Sequence, residues 1–156
     1  MAKTIEARLK ELGIELPEAV APVANYVPYV ITGNLVIVSG QIPFVDGAVQ
    51  SLGRVGQDLS VENGQSAARL CALNLLAQVN AAADGDLDLV TRVVRLGGFV
   101  NSAPDFTGQH LVINAASELM VDVFGDKGQH ARAAVGCPSL PLGAAVEVDG
   151  IFELKA

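Results

Sequence analysis

The sequence predicts an α+β domain: one mixed β-sheet with two long helices covering one face. Three observations predict it. Two stretches, the Ala- and Leu-rich Val61–Ala83 and Gly108–Val123, have helical length and end at Gly85 and Gly125. Short Val- and Ile-rich runs interleave with them instead of forming a separate block. Gly33-Asn34 and Asp46-Gly47 are tight-turn signals, so the runs they join read as antiparallel.

In chain order, Thr4 is placed to cap a first helix, with Ile5, Leu9, Leu12 and Leu16 at roughly helical spacing and Pro17 and Pro22 to stop it. "YVPYVITGNLVIVSGQIP" reads as two strands broken at Gly33-Asn34. "GRVGQDLS" is a loop whose Ser60 caps the helix from Val61. That helix carries few charges, so one of its faces must be buried. "LVTRVVRLGGFVNS" reads as a strand, and "PDF" leads into the second long helix. The last part reads as two strands joined by "CPSLPLG", where two prolines and a glycine forbid regular structure, and is predicted to be a hairpin.

A chain of 156 residues favours a single domain. Its core must be built from Val, Leu, Ile and Ala, because there is no tryptophan and aromatics make up 4%. The net charge of -7 repels phosphate backbones, and the ten Lys and Arg form no cluster, which argues against nucleic acid as a partner. A mean hydropathy of +0.41 points to apolar surface buried between subunits. Cys71 and Cys137 have no CxxC or histidine spacing, so no metal site and no disulfide are expected, and both read as buried small hydrophobes in a reducing cytoplasm. The charged N-terminus lacks a signal-peptide core, and no apolar run reaches the ~18 residues of a membrane span. "GGF" at Gly97–Phe99 has neither the Lys nor the helix of a phosphate loop.

Arg132 and Glu147 are full charges inside the last two, otherwise apolar strands. Centring the turn on Ser139-Leu140 sets them opposite each other on one face, with Ala134, Gly136 and Ala145 as small neighbours. Two readings stand. One is a cross-strand ion pair on a solvated face. The other is a site, in which the guanidinium holds a carboxylate in a bidentate grip and the acid orients or deprotonates water. His130 borders the proposed site and could tune charge there, but reads first as a turn-adjacent surface residue; Tyr26 reads as packing before a site residue, and Asp122 and Asp126 as solvated surface.

"NLVIVSGQIP", "PYV" (Pro28–Val30), "INAASELM" (Ile113–Met120) and the Arg132…Glu147 segment follow the order of the YjgF/RidA family, also labelled L-PSP endoribonuclease, which this chain resembles from about Ala21 to Leu154. Residues 1–20 resemble the N-terminal helical extension of a longer subgroup, leaving 21–156 as the family domain. The resemblance implies a chorismate-mutase-like fold and a homotrimeric barrel with ligand sites in its inter-subunit clefts. It implies hydrolysis of reactive enamine and imine intermediates to 2-keto acids and ammonia, with no metal or cofactor. Carried over by motif, Arg132 would hold the substrate carboxylate and Glu147 the attacking water. Tyr29, Ser39, Gly40 and Asn114 would line the cleft, Asn114 only if a short insertion lies before it. Ala134 stands where the family has a cysteine and would keep a backbone contact alone. A non-catalytic trimer binding a small carboxylate is the alternative, favoured by Ala134. An endoribonuclease is disfavoured by the acidic charge, and chorismate mutase activity does not follow from fold likeness.

Overall fold

The structure is a computed structural model and describes residues 4–22 and 24–156. Its elements are α1 (Thr4–Glu11), β1 (Tyr29–Thr32), β2 (Leu35–Gln41), β3 (Phe44–Val45), β4 (Ala48–Val49), α2 (Val61–Ala82), β5 (Val90–Asn101), α3 (Gln109–Phe124), β6 (Ala131–Cys137) and β7 (Val146–Leu154). Five strands form one mixed sheet in the order β1-β2-β7-β5-β6, and β3 and β4 form a separate ribbon. The strands form because β-branched residues alternate, and alternation decides the faces. Val36, Val38, Val93, Leu96, Val146, Val148 and Phe152 point to one side and join Leu75, Leu76, Ile113, Leu119 and Met120 of α2 and α3 in the core. The long helices therefore cover one face, as predicted.

Several local expectations hold. Ser60 caps α2 in a reciprocal box with Asn63. Thr32 pairs with Leu35 across the Gly33-Asn34 turn, with Gly33 at a φ of 60°. The start of α1 differs. Thr4 is its first residue, and the cap is the carboxylate of Asp88, which accepts from the backbone N–H groups of Thr4 and Ile5 at 3.1 and 2.9 Å. The helix stops at Glu11, and Gly13 has a φ of 66°. Leu12, Ile14 and Leu16 pack on the core beyond the helical segment.

The predicted final hairpin is not formed. β7 is antiparallel to both β2 and β5, while β6 is parallel to β5 at the sheet edge. β5 therefore lies between the two strands that carry Arg132 and Glu147. The unit β5–α3–β6 explains why: strands joined through a helix become parallel neighbours, which occupies the place beside β5 before β7 is reached.

Candidate functional site

Arg132 faces Leu96 and Glu147 faces Phe99 across β5. Leu96 is buried under the helices, and Arg132 lies on that same side. Glu147 alternates with buried Val146 and Val148 and lies on the other side. Two strand spacings across and three residues along place their Cα atoms about 14 Å apart. The sequence-based picture of a facing pair is thus corrected: within one chain these residues belong to two separate regions, on opposite faces of the sheet.

The first region lies between β6 and α3. Nη1 of Arg132 donates to Asn114 Oδ1 at 2.9 Å and Ser117 Oγ at 3.2 Å, and Nη2 makes a long contact with the His110 carbonyl at 3.5 Å. Ser117 Oγ is 2.9 Å from His130 Nε2, and His130 Nδ1 is 2.6 Å from the Gly128 carbonyl. A carbonyl only accepts, so Nδ1 carries a proton. With a neutral ring, the Ser117 hydroxyl donates to Nε2 while accepting from Arg132. Gly128 is required here because a Cβ would collide with the Met120 carbonyl. Both hydrogens of Nη1 are thus committed. The edge formed by Nε and Nη2 is held in place with no carboxylate partner among the described residues, which is the geometry for a bidentate anion. Ala134 sits on the same strand face.

The second region is a cavity of ≈100 Å³ on the other side, where β2 bulges between Val38 and Gln41. Ser39, Gly40 and Glu147 line it together with Tyr26. Ser39 is fixed by its hydroxyl donating to the Val27 carbonyl at 2.7 Å. Gly40 leaves the space that the Glu147 carboxyl occupies, since a Cβ there would lie 2.5 Å from Oε1. Glu147 has no hydrogen-bond partner among the described residues. Burial, and then the charge of Asp149, push its carboxyl above the usual range. Asp149 is itself raised by burial, against the pull of Arg95 at 3.6 Å.

Seven residues were expected at one site. The structure groups Arg132, Asn114 and Ala134 in the first region and Ser39, Gly40 and Glu147 in the second. Tyr29 pairs with Val38 and packs on the core side of the sheet, so within this chain it joins neither. Tyr26, expected to be packing, lines the cavity. His130, expected at the surface, is half-buried and hydrogen-bonded. Two signals for the missed residues were present: Ser117 follows Asn114 by one helical turn, and His130 precedes Arg132 by one strand repeat. Cys71 is buried as expected, but Cys137 is only half-buried. Among the described residues, no three metal-ligating side chains converge, and no helix is long and apolar enough to cross a membrane.

The model of a family described as "YjgF/chorismate_mutase-like, putative endoribonuclease" matches residues 6–154. Protein TCP17 of Trypanosoma cruzi is 53% identical over 152 residues, covering 97% of this chain and 94% of that protein. The crystal structure of Atu1372 from Agrobacterium tumefaciens, of unknown function, is 55% identical with a TM-score of 0.91, covering 97% of this chain and 93% of that one. A Shewanella oneidensis protein described as a "putative endoribonuclease" is 36% identical with a TM-score of 0.93, covering 97% and 99%.

Proposed function

We propose, from the premise that this chain belongs to the YjgF/RidA family, that it hydrolyses reactive 2-imino acids and their enamine tautomers to 2-keto acids and ammonia. The observation that carries this reading is Arg132, a half-buried guanidinium fixed by neutral acceptors, with no carboxylate on its Nε–Nη2 edge among the described residues. It suits a small carboxylate. Glu147 suits the chemistry that follows. Its raised carboxyl, in a largely apolar cavity, can take a proton from water as the water adds to the imine carbon, then return it to the departing amine.

One chain holds these groups too far apart, so the reading requires association. Arg132 lies on the edge strand β6, and Glu147 on the uncovered face of the sheet. That face exposes Val30, Ile37 and Val135, and carries the small Gly97, Ala131 and Ala133 and the Arg95–Asp149 pair. A homotrimer that packs the β6 edge of one copy on the open face of the next covers this surface and closes three equivalent clefts. The unpaired cysteines suit a cytoplasmic location.

The test is ammonia release from freshly generated 2-aminoacrylate, alongside the mass in solution. Acceleration by the native protein and none by Arg132→Ala supports the reading; no acceleration over buffer refutes it. Ala134, which brings no thiol beside Arg132, favours a second reading as a non-catalytic carboxylate-binding trimer. Binding without turnover selects it. The net charge of -7 weighs against RNA as the ligand.

A further inference from the structure

We infer that the connection between α1 and β1 reads the side chain of the bound acid and selects a branched apolar group of three or four carbons. This rests on the reading that the Glu147 cavity is the reaction site. The cavity has two kinds of lining. Ser39, Gln41, Asn74 and Glu147 bring polar groups to it, and Gly40 leaves room beside the Glu147 carboxyl. The rest is mostly apolar and includes two wall segments, Val20, Ala21, Pro22 and Tyr26 of the α1–β1 connection and Ile42 and Phe44 of the chain that follows β2. A reacting carbon at Glu147 then places its substituent among these apolar walls.

The walls are held by one helix. Gln78, only 1% exposed, donates from Nε2 to the Val20 carbonyl at 2.7 Å. Asn74, only 4% exposed, donates from Nδ2 to the carbonyls of Ile42 and Phe44, each at 3.0 Å. Asn74 and Gln78 are one turn apart on α2 and share a face. Buried amides are costly without partners, so both hold their contacts, and the rigid helix sets the spacing of the walls. The site is therefore preformed for one width of side chain. An apolar cavity of about 150 Å³ accepts a benzene ring, so ≈100 Å³ suits a smaller, branched aliphatic group. No Lys or Arg lines it, so a second carboxylate on the side chain would be desolvated without a partner.

The test is calorimetric titration of the full chain with the 2-oxo acid products, supplemented by imine hydrolysis. Pyruvate, 3-methyl-2-oxobutanoate, 4-methyl-2-oxopentanoate and 2-oxopentanedioate are the probes. Affinity is expected to rise about fourfold per added apolar carbon, so roughly 50-fold from pyruvate to 4-methyl-2-oxopentanoate, with the dicarboxylate weakest. Ala21→Leu adds bulk on the wall at an exposed position and is expected to weaken 4-methyl-2-oxopentanoate about tenfold while leaving pyruvate within about twofold. Tyr26→Ala, also exposed, is expected to flatten the gradient by opening the wall. Equal affinity for all the monocarboxylates, or an Ala21→Leu protein that keeps the native gradient, overturns the inference. A binding gradient without hydrolysis removes the reading of the reaction and leaves the pocket assignment standing. Hydrolysis without a gradient does the reverse, and no binding of any acid removes both.

Discussion

The Arg132 region and the Glu147 cavity are built on opposite principles. At the first, a chain of hydrogen bonds fixes the charge: Arg132 leans on Asn114 and Ser117, Ser117 on His130, and His130 on the Gly128 carbonyl. At the second, a carboxyl lies among mostly apolar side chains without a hydrogen bond among the described residues, and its affinity for protons is raised. A satisfied network fixes a charge in place and suits binding. An unsatisfied, partly desolvated acid suits moving a proton. The largest expected effect comes from breaking the fixed cation. Arg132→Ala should lower kcat/KM at least ~100-fold, and Arg132→Lys should recover little, because an ammonium cannot span two carboxylate oxygens. If the two regions meet only between copies, mixing Arg132→Ala with Glu147→Ala subunits should restore about a quarter of native activity, the share of clefts with both residues intact. Additive inactivity of the mixture would place both residues in separate sites.

The cavity side is tested next by a single methyl group. In Gly40→Ala the new Cβ would press on Glu147 Oε1, the far end of a flexible side chain. The carboxyl should swing aside at little cost to folding. Activity is expected to fall about 30-fold, in line with the sensitivity of catalysis to misplacement near 1 Å, with the melting temperature almost unchanged. A large loss of stability would show that Gly40 serves the backbone instead.

These two regions also separate what was legible in the sequence from what was not. The limits of the two long helices, the Ser60 cap and the Gly33-Asn34 turn depend on neighbouring residues, and local chemistry decided them correctly. The partner of β7 does not depend on its neighbours. Alternation shows which residues share a face of one strand and says nothing about which strand lies beside it. Reading β6 and β7 as a hairpin therefore brought Arg132 and Glu147 together, although the strand–helix–strand order β5–α3–β6 already carried the contrary signal. Asp88 as the cap of α1 had no sequence signal at all, since its carboxylate arrives from 84 positions away. Asn114 was reachable only by resemblance, and in the structure it accepts a hydrogen bond from Arg132.

A smaller effect distinguishes the arms of the Arg132 network. Ser117→Ala removes one of the two acceptors of Nη1 and leaves Asn114. Because Arg132 should then sample other rotamers, KM is expected to rise about tenfold with kcat held within about twofold, the size of one hydrogen bond to a charged group. His130 acts through Ser117, so His130→Ala should raise KM less, and adding it to Ser117→Ala should change nothing more. Independent effects of the two substitutions would mean that His130 has a role outside this chain of contacts.

The smallest effect concerns stability, and it asks whether the two regions meet. Burial and Asp149 raise the Glu147 carboxyl above its ordinary 4.5, so the ionised form is the costly one in the folded chain. Below the unfolded value the group is protonated in both states and opposes nothing. As pH climbs through the raised folded value, stability is lost. Glu147→Gln carries no charge at any pH. In an Arg132→Ala background, which removes any guanidinium that a neighbouring copy could offer, Glu147→Gln should melt higher than its parent at pH 7 by on the order of 1–2 °C, with the gain vanishing near pH 4. In the native background an Arg132 from the next copy, brought beside Glu147, would favour the ionised form, and the gain should shrink or change sign. The difference between the two backgrounds measures the coupling of the residues directly. A gain identical in both would mean that the guanidinium and the carboxyl never come within range, and the inter-subunit cleft would have to be abandoned.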